Sequence, residues 1–396
     1  CMNDAGLVSI RRNWRYMPDQ LLLTAENQAS DSSNISHNML TEMDLTLSGS
    51  SLPPYRFYGR EMEIFDLAEC LHESRKILLT GVSGTGKSEL LRQFLLGIIK
   101  NKLDIKISVI QCSNSIAEGF LKAFPGITGT DEEDRFRKIF SLLKEESSRP
   151  SVIIIDQNII CGDHSGILCS EDAELLKAIA DLPVTVVMAS ELDEIPGFTP
   201  YHIKDVSPDA AFLIFRYNYG KILSDKEKNA LDLFLAEGKI GHPLTIRLLA
   251  KSAVCRGVSI DELAGLYGAP ACESDDTDND IGYYIDRIYF HGSFSAEELF
   301  FLQLFASLPY GTYNKKELQT LAGTCGMAPD LSSDLWLSPD SDSGSNRKNT
   351  NKQLNNKKLA ALKNLTEEGW LDETGSGYSM HPLIAEHIRY TLKQIL

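Results

Sequence analysis

The chain has 396 residues, of which 43% are hydrophobic and 24% charged, and a formal net charge of −16. These are ordinary proportions for folded globular protein, and the length predicts about two to three domains; the acidic surplus disfavours nonspecific nucleic-acid binding, which draws on Lys and Arg. No run of about 18 apolar residues suggests a membrane span, the short "LLL" after Arg11, Arg12 and Arg15 makes no signal peptide, and the eight cysteines, scattered without metal-ligand spacing, predict reduced thiols in a cytoplasm.

Residues 1–54 are polar and weakly periodic, and "ENQASDSSNISHN" within them reads as a Ser/Asn-rich linker. From 55 the pattern changes. "RFYGREMEIFDLAECL" gives a short extended piece and then an amphipathic helix. "KILLT" (76–80) is a short apolar run suited to a buried parallel strand, followed by a glycine loop and a helix over 87–100. "IKISVIQC", "PSVIIID" and "LPVTVVMAS" predict three more strands, with helices at 132–147 and 171–181 between them. Strands alternating with helices imply a parallel sheet covered on both faces. Beyond about 199, four helices are expected: "SPDAAFLIFRYNYG", "DKEKNALDLFLAEG", "HPLTIRLLAKSAV" and "SIDELAGLYG". An acidic connector at 273–280 leads to helices at 281–290, 295–307, 314–323 and 357–368. "GWLDETGSGYSMH" then reads as two short strands around a Gly/Ser turn, and a last helix starts after Pro382. Helices followed by a hairpin make a winged-helix pattern, interrupted by a mobile Ser/Asp/Asn-rich insertion at 328–356. The expected domains are therefore a linker (1–54), an α/β P-loop unit with a parallel sheet (55–198), a helical subdomain (199–280) and a winged-helix domain (281–396).

The glycine loop carries the chemistry. Gly81-x-x-x-x-Gly86-Lys87-Ser88 follows a predicted strand and enters a helix, the context a phosphate-binding loop requires. Ser83, Gly84, Thr85, Gly86, Lys87, Ser88 and Glu89 are its candidate nucleotide-binding residues. The glycines let backbone N–H groups turn toward phosphates, the helix N-terminus adds partial positive charge, and Lys87 brings a full charge to the terminal phosphates. The Ser88 hydroxyl is a candidate Mg²⁺ ligand. Asp156 ends the strand "SVIIID", where open α/β sheets bind ligands, and is either the second Mg²⁺ partner or a helix cap. Lys87 and Asp156 are the candidate catalytic pair. Many hydrolytic P-loop enzymes place an acid next to activate water; here Gln157 and Asn158 follow, and an amide is a poor proton acceptor. Glu191 and Asp193, after the fourth strand, are the other acids available. The pattern favours tight holding and slow cutting of ATP.

"FYGRE" (57–61), the P-loop, "GHPL" (241–244) and "YSMHPLI" (378–384), in that order, resemble the STAND class of signalling NTPases, in particular the NB-ARC group. That class includes plant disease-resistance proteins, apoptosome scaffolds, and bacterial regulators and antiphage sensors, so a bacterial role in innate immunity is implied. The resemblance covers about 55–396. It implies that Tyr58, Gly59 and Arg60 line the adenine pocket, that Pro243 packs by the base and that His381 reaches the β-phosphate of ADP. The plainer readings are a surface ion-pair residue for Arg60, an ordinary first-turn proline for Pro243 and a strand-end or helix-cap histidine for His381. Two departures stand out. The family's Asp after the histidine is Pro382 here, and the arginine sensor after the fourth strand is replaced by Ser190 and Glu191. Ser190 is retained as a polar candidate for phosphate contact.

The resemblance implies an ATP/ADP-binding switch with Mg²⁺, closed by ADP, opened for self-oligomerisation by ATP exchange, and hydrolysing slowly or not at all. Such proteins carry an effector before this module and a sensor after it, and Cys1 ahead of Met2 suits a cut inside a longer chain. The alternatives are an ordinary ATP-hydrolysing enzyme and a winged-helix DNA-binding regulator; the acidic balance weighs against the latter and against any nucleic-acid partner.

Overall fold

The structure is a computed structural model that describes residues 58–100, 106–112, 115–124, 131–146, 151–157, 170–237, 240–267, 277–309, 311–324, 357–375 and 377–395. The expected linker 1–54, the insertion 328–356 and Asn158 lie outside the described residues. The described chain forms two compact units, one ending at Ser207 and the other beginning at Pro208.

The first unit contains helix α1 (Glu61–Glu73), strand β1 (Lys76–Thr80), α2 (Lys87–Lys100), β2 (Lys106–Cys112), α3 (Ile116–Ala123), α4 (Glu132–Glu146), β3 (Ser151–Gln157), α5 (Ser170–Asp181), β4 (Thr185–Ala189) and β5 (Thr199–His202). The five strands pair in parallel in the order β2-β3-β4-β1-β5. Side chains alternate across a strand, so β1 serves both faces. Leu78 joins Ile153, Ile155, Val186 and Met188 under Phe120, Leu143 and Leu175. Ile77 and Leu79 join Val152, Ile154 and Val187 under Leu67, Leu90 and Phe94. This is why β1, β3 and β4 read as unbroken apolar runs.

Two elements went unread in the sequence. Strand β5 is short, largely exposed and contains Pro200. A proline is tolerated there because β5 is an edge strand, paired among the described strands only with β1. Helix α3 begins at Ser115, whose side chain accepts from the Glu118 N–H at 3.0 Å. The buried Asp172 carboxylate of α5 completes the cap, accepting from Ile116 N–H at 3.0 Å and Ala117 N–H at 3.1 Å.

The second unit contains α6 (Pro208–Tyr219), α7 (Asp225–Glu237), α8 (Pro243–Arg256), α9 (Ile260–Tyr267), α10 (Thr277–Phe290), α11 (Ala296–Ser307), α12 (Lys315–Thr324), α13 (357–367), β6 (Leu371–Thr374), β7 (Gly377–Met380) and α14 (Pro382–Ile395). Helix α10 starts inside the stretch read as an acidic connector, so the sequence boundary at 280/281 falls within a helix. Ser295 and Glu298 form a capping box at the start of α11. Strands β6 and β7 pair antiparallel, Leu371 opposite Met380.

Basic residues of α8 grip the segment that enters this hairpin. Arg247 Nη2 lies 2.6 Å from Asp372 Oδ1, Lys251 Nζ donates to Thr366 O at 3.2 Å, and Arg256 lies 3.9 Å from Glu368. Beneath them Trp370 is fully buried, edge-on to Tyr289 and Phe294, with its indole N–H donating to Glu368 at 3.1 Å. Burial pulls the Lys251 ammonium down to about 8, Arg247 pushes the same way, and Asp372 opposes. An unfolded lysine holds its proton to about 10.4, so the unfolded chain binds the extra proton between the two values and this group favours the native state increasingly as pH rises. The stability of the wild type minus that of Lys251→Met is therefore expected to climb above pH 8, by at most ~1.4 kcal/mol per pH unit. Urea denaturation across that window checks it; a flat difference contradicts the burial of this charge.

Candidate nucleotide-binding site

The loop between β1 and α2 turns on three glycines with positive φ: Gly81 at 144°, Gly84 at 83° and Gly86 at 97°. At Gly81 a side chain is also excluded by space, since a Cβ would sit 2.8 Å from the Ile203 carbonyl oxygen. Thr85 is buried and ties the loop internally, its hydroxyl donating to Val82 O at 2.8 Å. Lys87, 8% exposed, donates from Nζ to Gly81 O at 2.6 Å and Val82 O at 3.0 Å. Burial lowers its pKa, while Glu191 and Asp156 nearby raise it. Glu89 turns to its own helix, accepting from Arg92 Nε at 2.8 Å and Gln93 Nε2 at 2.9 Å.

The parallel sheet brings the ends of β3 and β4 to this loop. The Ser88 hydroxyl donates to Asp156 Oδ1 at 2.8 Å, so the two residues read as magnesium partners stand together. Next to Asp156, the Gln157 carboxamide oxygen accepts from the buried Ser190 hydroxyl at 2.7 Å, and Ser190 Oγ also accepts from the Leu192 N–H at 3.2 Å. Of the acids after β4, Asp193 lies 3.5 Å from the Thr80 hydroxyl. Arg60, at the start of α1, is 2% exposed and not a surface residue. Its Nη2 donates to Thr85 O and to Lys204 O, each at 2.8 Å, and its Nη1 donates to Glu63 Oε1 at 3.0 Å. Gly59 precedes it with a φ of 73°.

Residues 54–195 match the family model described as Novel STAND NTPase 1. The nucleotide-binding unit is a STAND P-loop NTPase domain. The chain is also similar in structure to a STAND protein with a tetratricopeptide repeat sensor from Pyrococcus horikoshii, at 15% identity and a TM-score of 0.48, covering 88% of this chain and 47% of that one. The chain thus spans about half the length of that protein. The Walker-type ATPase of Pyrococcus abyssi matches at 16% identity and a TM-score of 0.39, over 86% of this chain and 99% of that one. The Aeropyrum pernix ORC2 protein in its ADP form matches at 14% identity and a TM-score of 0.38, over 87% and 96%. No curated protein sequence matches the chain. No described helix is long and apolar enough to cross a membrane.

The two candidates outside the STAND NTPase domain lie in the second unit, and each belongs to a His-Pro-Leu helix start. Pro243 is the first residue of α8, and the buried His242 before it accepts from Thr245 N–H at 3.4 Å. His381 precedes Pro382 at the start of α14 and accepts on Nδ1 from Leu383 N–H at 3.3 Å. Both histidines therefore serve as helix caps. Sequence reasoning had no signal for the approach of Ile203 and Lys204 to the phosphate loop, because both contribute backbone carbonyls. Oxygen ligands at Ser88 and Asp156 fit Mg²⁺, which takes few protein ligands and leaves the rest of its shell to water and phosphate. Among the described residues no group of three or more His, Cys, Asp or Glu side chains forms a separate metal site. Ser88→Ala is expected to leave folding intact and to cut the Mg²⁺-dependent part of ATP affinity at least about tenfold. Calorimetry with and without Mg²⁺ checks this, and an unchanged ratio removes Ser88 from the ion's surroundings.

Proposed function

We propose that the chain is the nucleotide-controlled switch of a STAND signalling protein of the NB-ARC kind, held closed by ADP and released for self-association when ATP replaces it. The observation that carries the reading is the pairing at the strand ends. Asp156 stands with Ser88, which suits it to hold Mg²⁺, while the position that would activate water holds Gln157 with its oxygen engaged by Ser190. An amide so engaged has no proton-accepting power to lend to a water. The site is equipped to grip a nucleotide and poorly equipped to cut one. Mg²⁺, when bound there, would neutralise phosphate charge.

In this reading Lys87 holds the terminal phosphates, Pro243 packs by the base, and His381 touches the β-phosphate of ADP. The His381 ring supports such a role chemically. With Nδ1 accepting from the backbone, the neutral imidazole carries its proton on Nε2, which makes that edge a donor suited to a phosphate oxygen. An effector before the module and a sensor after it would supply output and input.

Glu191 and Asp193 favour a second reading, an ordinary ATPase, because both are acids at the same end of the sheet. Two measurements decide between them. Denaturing the purified chain and chromatographing what is released is expected to yield ADP, with negligible steady phosphate release from ATP. Gln157→Glu, which puts a carboxylate next to Asp156, is expected to raise phosphate release by roughly 10²-fold. Rapid turnover by the wild-type chain, with no nucleotide retained, would establish the ATPase instead.

A further inference from the structure

We infer that Arg60 is a positioning residue that couples the phosphate loop to the segment by which the chain leaves the nucleotide-binding unit; the inference rests on the switch reading and adds a mechanism to it. A guanidinium this deeply buried is unfavourable unless its hydrogens are met by acceptors. Here Nη2 has two hydrogens and two carbonyl partners at 2.8 Å, Thr85 O and Lys204 O. They belong to different pieces of chain. Thr85 sits between Gly84 and Gly86 of the phosphate loop. Lys204 lies two residues beyond β5 and three before Ser207, where the first unit ends.

The same exit segment also meets the other end of the loop. The Ile203 N–H donates to Thr80 O at 2.8 Å, and the Ile203 carbonyl faces Gly81 so closely that only glycine fits. Residues 203–204 are thus joined to the phosphate loop at its entry, through backbone, and at its crown, through Arg60. Glu63 holds the guanidinium from the opposite side at 3.0 Å, which fixes the plane of the fork. Phosphates bind such a loop through its backbone N–H groups. If the Thr85 carbonyl moves, Arg60 must carry Lys204 with it or give up a charge-assisted bond in a buried site. Lysine cannot substitute, since an ammonium on a flexible stem has no rigid fork to span the two carbonyls.

The test is hydrogen exchange on the full chain with and without ADP, reading peptides over 81–88 and 203–209, alongside calorimetric ADP affinity. In the wild type, ADP is expected to slow exchange several-fold in both segments. In Arg60→Lys, compared at saturating ADP whatever its affinity, the loop is expected to be protected while the exit segment loses its response. Glu63→Gln, which leaves both Nη2 bonds in place, is expected to keep the response. An exit segment that answers ADP equally in Arg60→Lys overturns the coupling. So does a wild type whose loop is protected by ADP while 203–209 is unmoved, a result that stands even if the variant fails to fold. A wild-type chain that binds no ADP in the calorimeter overturns the switch reading itself, and is separated by that measurement from a failure of the coupling alone.

Discussion

A buried positive charge sets the terms of the nucleotide-binding unit. Lys87 is enclosed at the start of α2, and an ammonium in such a place demands acceptors. Two are supplied by Gly81 O and Val82 O, which wraps the loop around the side chain. That wrap needs backbone angles only glycine tolerates at 81, 84 and 86. The glycines of the sequence are therefore the trace of this wrap and, at Gly81, of the close approach of the Ile203 carbonyl. A phosphate brought to this loop meets a side chain already positioned, whose pKa is lowered by burial while the carboxylates of Glu191 and Asp156 nearby oppose that shift.

The sheet converts that local arrangement into a site. With β1 between β4 and β5, and β3 beyond β4, the C-terminal ends of β1, β3 and β4 lie side by side. Ser88, Asp156, Gln157 and Ser190 come from positions spread over about a hundred residues, yet they meet in two hydrogen-bonded pairs. Those pairs divide the labour between neighbouring residues of one strand. Asp156 faces the start of α2, and Gln157 faces the end of β4. Because successive side chains of a strand alternate in direction, one residue serves the ion site and the next is claimed by Ser190.

Much of this was legible in the sequence because the relevant signals are dense and local. The buried strands β1, β3 and β4 announce themselves as apolar runs, and the phosphate loop by glycine spacing. What stayed hidden was hidden for physical reasons. Strand β5 presents "TPYH", with neither alternation nor an apolar run, and exists because β1 offers an open edge. Helix α3 depends on a cap from Asp172, more than fifty residues away in sequence. Arg60 could be flagged by its "GRE" context, but its partners are carbonyls, and any residue type supplies a carbonyl. The division of the second half into a helical subdomain and a winged-helix domain followed the predicted helices and hairpin; the contacts of Arg247 and Lys251, which tie α8 to the hairpin entry, left no trace in that pattern.

On the proposed switch reading, the arithmetic of switching calls for several such ties. Moving a two-state equilibrium from 1:99 to 99:1 requires about 5.5 kcal/mol of differential affinity. One hydrogen bond to a charged group contributes ~1.5–3 kcal/mol, so a single histidine touching a phosphate falls short. His381 has a further constraint, since its Nδ1 is already committed to capping α14, which fixes the ring and leaves it little freedom to adapt to a ligand. The balance has to come from contacts that change together. Arg60 is suited to this because its two Nη2 bonds join the loop to the exit segment, so that one displacement strains both. With an unreactive amide beside Asp156, the state so selected would last for the residence time of the nucleotide rather than for the time of a chemical step.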